Sequence, residues 1–479
     1  MRVKVAVPIA GRDVWFQPWL DVISSPLGHR VPVLMLDTDL PENAEPDRRL
    51  TDHLYGGDHE YRLRQEMVLG IGGLRTLQAL GFTISRYHLN EGHAALLALD
   101  LLRRYPRPAD MVAEGDLGFN VGSVRESCIF TTHTPVEAGH DRFAYDLVER
   151  LMPDYFPIDQ LKRLAGAEDM NMTRLALNLS GYVNGVAVKH AEVTGKMFPG
   201  YRVRAITNGV HLPTWTHPSF ARLFNRHVPS WGVEPEILSH VDEIADAEIW
   251  DAHADAKREF VSIIEEQGGI RLDPEIPIIG FARRITAYKR PALLFSDISR
   301  LCAIHAKTPF QIVVAGKAHP HDEPGKQLLE TIHQALDQLN AANIRAVLLP
   351  NYNMALAKYL ISGVDVWLNT PTPPMEASGT SGMKAAVNGV LNLSVLDGWW
   401  LEACVEGATG WAIGHNGGTG AAEATAADLY DKLEKVVLPL YYQDRTRWIW
   451  MMKEAISKIA PYFNSQRMMR RYAAEAYVV

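Results

Sequence analysis

Between residues 277 and 371 short apolar runs repeatedly empty into polar or glycine-bearing loops, with helical stretches between them. PIIGFARRITAYKRPALLF (277–295) reads as strand, loop, helix. FQIVVAGKAHP (310–320), IRAVLLPNYN (344–353) and VDVWLNTP (364–371) each read as a strand that ends in a loop. Strands that are apolar throughout and alternate with helices build a parallel sheet with helices on both faces. In such sheets ligands bind outside the carboxyl ends of the strands. The candidate functional residues below all lie at such ends.

The first part of the chain is more mixed. VPVLMLD (31–37) reads as a buried strand running into a polar turn, and the pattern from Glu60 to Leu80 is helical. HLNEGHAALLALDLLRRY (88–105) reads as a strand end turning into an amphipathic helix capped by Asn90. ESCIFTTHTP (126–135) reads as a buried strand and loop, LALNLSGYVNGVAVKHAEVTGKMF (175–198) as mostly helical, and VRAITNGVHLPTW (203–215) as a short strand and loop. A length of 479 residues implies two or three domains. The net charge of −8 argues against a nucleic-acid partner. No apolar run is long enough to cross a bilayer, and the N-terminus lacks a signal-peptide pattern. The three cysteines, Cys128, Cys302 and Cys404, are far apart, which fits a reducing, cytoplasmic setting and no metal site.

The segment TPTPPMEASGTSGMKAAVNGVLNLSVLDGWW (370–400) is the richest in chemistry. A Gly- and Ser-rich loop opening a helix offers free backbone N–H groups to an anion. Lys384 follows Thr380 by four residues, about one helical turn, so a lysine and an anion site stand close together. A plain loop-to-helix junction accounts for the same residues without a ligand. Other residues have similar alternatives. Arg283, Arg284, Lys289 and Arg290 fit a solvated helix face, although they directly follow an apolar strand. His93 and His133 fit satisfied structural histidines, Trp399 and Trp400 fit packing, and Glu376 fits a loop cap.

Taken together, HLNEGH, TTHTP, TNGVHLPTW (207–215), RRITAYKR (283–290) and EASGTSGMK resemble, in that order along the chain, motifs of the α-glucan (glycogen, starch and maltodextrin) phosphorylases. LDTDLPEN, LYGGD and DGWWLEACVEGATGWAIG are similar to the short bacterial and archaeal branch of that family. The resemblance implies an α/β fold of the GT-B type, two Rossmann-like domains facing across a cleft. The first, residues 1–205, would be an incomplete glucan-side domain. The second, 206–440, would hold pyridoxal 5′-phosphate, and a helical tail, 441–479, would pack back toward the first. The implied reaction is phosphorolysis of terminal α-1,4-glucosyl units by inorganic phosphate to glucose 1-phosphate, with retention.

Residue by residue, the resemblance implies that Lys384 holds the coenzyme covalently. Thr380, Ser381 and Arg283 would bind its phosphate, with Trp215 and Tyr352 packed nearby. Arg284 and Lys289 would grip the substrate phosphate. Glu376, Ser378, Gly379 and Asn208 would bind sugar hydroxyls. His133, with its backbone carbonyl, would face the glucosyl unit beside Asn90 and His93.

The sequence departs from the family in two ways. The long region that precedes LDTDLPEN in the family, with its Gly-rich phosphate loop, has no counterpart here, so the expectation for the chain alone is weak activity. Asn353 stands where vertebrate-type members carry arginine. A non-catalytic remnant, or one half of a two-chain phosphorylase completed by an N-terminal chain, is a competing expectation. Another is a nucleotide-sugar glucosyltransferase of the glycogen-synthase type, against which the lysine anchor speaks. A homo-oligomer is a further open expectation.

Overall fold

The computed structural model describes residues 3–25, 27–54, 57–113, 116–318, 322–414 and 421–478. Tyr55 and Gly56 of LYGGD, and His319 and Pro320 of AGKAHP, lie outside them. The chain forms two compact units: residues 1–185 with 195–204, and residues 186–194 with 205–479. Both are α/β. The helices of the last forty residues, Arg445–Ile459 and Ser465–Tyr472, group with the second unit.

In the first unit β1 (Val5–Ile9), β2 (Arg12–Ser24) and β3 (Arg30–Asp37) form an antiparallel sheet. A second sheet runs β4 (Tyr87–Asn90), β5 (Cys128–Thr131), then β8 (Tyr182–Gly185) and β9 (Arg204–Ala205), with β4, β5 and β8 parallel. Between β5 and β8 in the chain, β6 (Arg142–Ala144) and β7 (Asp169–Asn171) pair antiparallel. The core gathers Val7, Phe16, Leu63, Leu96, Leu99, Phe130, Leu175 and Leu179.

Four sequence expectations for this unit and its border need correction. VPVLMLD is a strand but not a buried one: β3 is an edge strand paired only with β2, and Val31 and Met35 are more than half exposed. Asn90 does not cap a helix. It ends β4, a short 3-10 turn follows at Gly92–Ala94, and Ala94 precedes the helix Ala95–Leu102. That helix is buried on nearly all sides rather than amphipathic. The stretch 175–198 is interrupted by β8, whose four residues YVNG are all buried. Gly181 lets that strand approach, since a Cβ there would stand 2.4 Å from the carbonyl oxygen of Arg125.

The second unit is built on β10 (Ile278–Ala282), β11 (Gln311–Ala315), β12 (Ala346–Leu349), β13 (Val366–Asn369), β14 (Leu391–Val395) and β15 (Gly410–Ile413). All their pairings are parallel, in the order β12-β11-β10-β13-β14-β15. The strands are almost wholly buried, as an apolar run with no alternation demands. The chain moves outward from β10 to β12, then returns to lay β13 against the other side of β10. This reversal opens a crevice at the carboxyl ends of β10 and β13, the usual ligand position in such a sheet.

A buried charged group fixes that juxtaposition from the opposite end. Asp365, just before β13, accepts from the backbone N–H of Ile278 at 2.8 Å and from His253 Nε2 at 3.0 Å. Lys257 Nζ lies 2.7 Å from Oδ2, the oxygen that also accepts from Ile278 N, while His253 meets Oδ1. Burial alone would raise the Asp365 carboxyl, but Lys257 and His253 outweigh it and hold it down to about 2. The helix Asp246–Gly268 thereby ties together the starts of β10 and β13.

Candidate active site

Two loops meet at the crevice. The loop after β10 carries RRITAYKR, and the loop after β13 carries PTPPMEASG. The first is not the start of a regular helix: it holds 3-10 turns at Ala287–Lys289 and Leu293–Phe295, and the α-helix begins only at Ile298. Its basic residues are therefore not a solvated helix face, and only Arg284 among them is exposed. Arg290 stitches the loops together, donating to the carbonyl oxygens of Thr370 at 2.9 Å and Pro371 at 2.7 Å. Thr372 N adds a bond to Tyr288 O at 2.7 Å.

Stitched in this way, the loops bring opposite charges together. Lys289 Nζ reaches both carboxylate oxygens of Glu376, at 2.6 and 2.5 Å, and Arg283 Nη2 donates to Glu376 Oε2 at 2.8 Å. All three side chains are about nine-tenths buried. Burial would raise the Glu376 carboxyl, but Arg283 and Lys289 outweigh it and hold it low. Burial, with repulsion from Arg283, pushes Lys289 down to about 8, so it still carries its charge at neutral pH. Arg283 has two further buried donors, Nε and Nη1, with no protein acceptor, and the buried Ser378 hydroxyl is also unpartnered. Left unpaired, such groups cost about 1–3 kcal/mol each, more when charged. These donors are free to meet an acceptor that is not protein.

Next along the chain, Gly379 adopts a φ of +86° and Thr380 opens the helix Ser381–Ala386, which carries Lys384. Lys384 Nζ stands 3.8 Å above the Trp215 ring. Burial lowers its pKa, which raises the share of neutral, nucleophilic amine. Asn388 holds this pair in place, donating to the carbonyl oxygens of Trp215 at 2.9 Å and Lys384 at 3.0 Å. The Ser381 hydroxyl accepts from Trp367 Nε1 at 3.1 Å. Tyr352 follows β12, where burial raises its hydroxyl and the charge of Arg283 counteracts this. Asn353 caps the helix Met354–Gly363 by accepting from Leu356 N. Trp399 and Trp400 are buried in the core.

Asn208 sits in a loop held from far along the chain. Arg467 donates to the carbonyl oxygens of Thr207 at 2.8 Å and Asn208 at 3.2 Å. Only glycine fits at the neighbouring position 209, where a Cβ would stand 2.1 Å from Asn464 O. No described contact joins Asn208 to Glu376 or Lys384.

In the first unit the candidate residues also lie at strand ends, but their polar groups meet one another. His133 Nε2 lies 2.6 Å from Asn90 Oδ1. Glu91 accepts from His133 N at 2.7 Å and from the Thr134 hydroxyl at 2.9 Å. His93 Nδ1 lies 2.9 Å from Asp141 Oδ2, 3.3 Å from Glu66 Oε1 and 2.6 Å from Arg62 Nη2. Burial pushes the Glu66 carboxyl up to about 8, against the pull of His93. Burial opposes charge on His93, but Asp141 and Glu66 push it up to about 9. These three residues have metal-ligand chemistry, yet Arg62 already supplies a cation, 3.1 Å from Glu66 and 3.3 Å from Asp141.

Sequence reasoning missed Asn388, Asp397, Arg467 and Glu66. Asn388 and Asp397 lie within the segment 370–400 but outside its Gly- and Ser-rich loop, and Arg467 and Glu66 lie in no pattern that marks a site. Their roles come from contacts made far along the chain or from a turn whose composition is unremarkable.

Fold and site together define an α/β protein that presents buried cations, a lysine and hydroxyl groups at the switch point of a parallel sheet. The family model for carbohydrate phosphorylase matches residues 157–410. The chain is 41% identical to a maltodextrin phosphorylase of Thermococcus litoralis, over 99% of this chain and 60% of that protein. It is 35% identical to a glycogen phosphorylase of Mycobacterium tuberculosis, over 94% of this chain and 58% of the relative. A glycogen phosphorylase of Aquifex aeolicus is 34% identical, over 99% and 73%. The chain belongs to the carbohydrate phosphorylase family. It spans about three fifths of the length of the first two relatives.

Proposed function

We propose that this chain carries the coenzyme and phosphate site of an α-glucan phosphorylase that releases glucose 1-phosphate from terminal α-1,4-glucosyl units. The observation that carries the reading is the convergence of Arg283 and Lys289 on Glu376 at the switch point, with buried Arg283 donors unpartnered. Those donors and the buried, desolvated Lys384 fit pyridoxal 5′-phosphate, which needs cations for its phosphate and an amine for its aldehyde. When bound, that group supplies a phosphate whose second pKa near 6 suits proton exchange at neutral pH.

The protein's own residues do the rest. Lys384 anchors the coenzyme, Trp215 and Tyr352 pack beside it, and Arg283, Thr380 and Ser381 hold its phosphate. Arg284 and Lys289 bind inorganic phosphate and offset the repulsion between two adjacent anions. Glu376, Ser378 and Gly379 bind sugar hydroxyls. The roles of Asn208, Asn90, His93 and His133 toward the glucosyl unit rest on the family likeness. Among the described residues no helix is long and apolar enough to cross a membrane, and the proposed setting is cytoplasmic.

The test uses the full chain saturated with pyridoxal phosphate, a linear maltodextrin and inorganic phosphate. It is run alone and after co-expression with the part of the Thermococcus litoralis relative that this chain does not span. We expect phosphate-dependent release of glucose 1-phosphate, slow alone and faster with the complement. No release in either case would defeat the reading. Incorporation of glucose from a nucleotide sugar into glucan would favour a glucosyltransferase instead.

A further inference from the structure

The loop that offers Glu376 and Ser378 is clamped by the turn after β14. Asp397, which is 2% exposed, accepts from Glu376 N through Oδ2 at 2.8 Å and from Gly398 N through Oδ1 at 2.9 Å. Trp399 N donates to Ser378 O at 2.9 Å. Gly398 has a φ of +55°, and a Cβ there would stand 2.5 Å from Ser378 O and 3.0 Å from Glu376 O. The turn 397–399 therefore presses on the backbone of 376–378, and only glycine permits the approach.

We propose that Asp397 is a positioning residue for sugar binding: its carboxylate, without touching the sugar, sets the backbone that aims Glu376 and Ser378. This rests on reading Glu376 and Ser378 as hydroxyl-binding residues. The charge state matters for a geometric reason. Each carboxylate oxygen accepts one backbone N–H. An amide turns a donor toward one of the two N–H groups, and a protonated acid offers that N–H only a hydroxyl oxygen, a weaker acceptor than a carboxylate.

The groups that face Asp397 are Glu376 on the loop after β13 and Lys289 and Tyr288 on the turn after β10. Burial pushes the Asp397 carboxyl up to about 6. The two backbone N–H groups resist this, Glu376 adds to it and Lys289 opposes it. Tyr288, itself pushed up to about 12 by burial, stays neutral. Acidification through about 6 therefore breaks the clamp, and Asp397→Asn breaks it at every pH.

The experiment is calorimetric titration of D-glucose into the full chain loaded with pyridoxal phosphate, from pH 5.5 to 7.5, for wild type and Asp397→Asn. Coenzyme content is measured in each sample. For wild type we expect glucose affinity to fall about threefold by pH 5.5, where roughly three quarters of Asp397 is protonated, on the way to the about tenfold loss that one broken hydrogen-bonding arrangement costs. For Asp397→Asn we expect that weaker affinity across the range, with coenzyme content unchanged. The coenzyme phosphate titrates in this range in both proteins, so the difference between the two profiles is the readout. A variant with wild-type affinity and profile overturns the inference, as does one that loses coenzyme along with sugar. A flat wild-type profile overturns it even if the variant does not fold. Failure of the wild type to bind glucose at any pH would instead defeat the sugar-loop reading, and the inference with it.

Discussion

The two units place polar residues at the ends of parallel strands with opposite results. In the first unit, β4, β5 and β8 lie side by side in chain order, and the candidate residues at their ends pair mostly with one another, leaving one buried carboxylate oxygen, Glu66 Oε2, without a partner. Asn90 meets His133, Glu91 meets two donors of the following loop, and His93 meets Asp141, Glu66 and Arg62. In the second unit the strand order reverses between β10 and β13, and buried donors of Arg283 and Ser378 remain without protein partners. The difference shows how topology decides whether a polar cluster becomes structure or site. At the reversal the two loops are stitched together yet leave buried cationic donors of Arg283 over, whereas in the first unit what is left over is a carboxylate oxygen.

The sharpest way to break this comparison is at the phosphate cations. Lys289→Ala and Arg284→Ala should each lower phosphate-dependent turnover of the complemented enzyme by roughly 100- to 1,000-fold, the typical cost of a lost charge-stabilising donor. Phosphate use should also fall as pH rises through about 8, where Lys289 loses its proton, and Lys289→Arg should shift that loss upward. Full turnover in both alanine variants would remove phosphate from the site.

A smaller effect is expected on the coenzyme. Arg283→Ala should weaken pyridoxal phosphate binding by about 30-fold, as for a lost charge-assisted hydrogen bond worth about 2 kcal/mol. His133→Ala, in the first unit, should change it less than about threefold. Equal losses in a fluorescence titration would erase the distinction between the units.

The smallest effect concerns stability. The Glu66 carboxyl is raised to about 8 when folded and lies near 4.3 when unfolded, so it favours folding fully below about 4.3, and this contribution is lost as pH rises through about 8. His93, raised to about 9, acts in the same direction, its contribution full below about 6.5 and lost through about 9. Glu66→Gln should therefore flatten the fall in melting temperature between pH 6 and 9, by about 2–4 °C per kcal/mol removed. An unchanged slope would show that Glu66 ionises freely.

Much of this contrast was legible in the sequence. Continuous apolar runs marked β10 to β13, and the loops that follow them carry Arg283, Lys289 and Glu376. A run of four buried residues such as YVNG has no period to separate strand from helix, so β8 was hidden within an apparently helical stretch. The exposure of β3 depends on what pairs beside it, which local composition does not encode. Asp397 and Arg467 work through backbone groups some twenty and some 260 residues away, and no local spacing predicts such bonds.

Lys384, 3.8 Å above the Trp215 ring on the helix that follows the sugar loop, is proposed as the coenzyme's anchor. Borohydride reduction of the chain after incubation with pyridoxal phosphate, followed by peptide mass mapping, tests this role most directly. A single stable pyridoxyl adduct on the peptide containing Lys384, absent in Lys384→Ala, is expected. An adduct on another lysine, or none on folded protein with excess coenzyme, would contradict it.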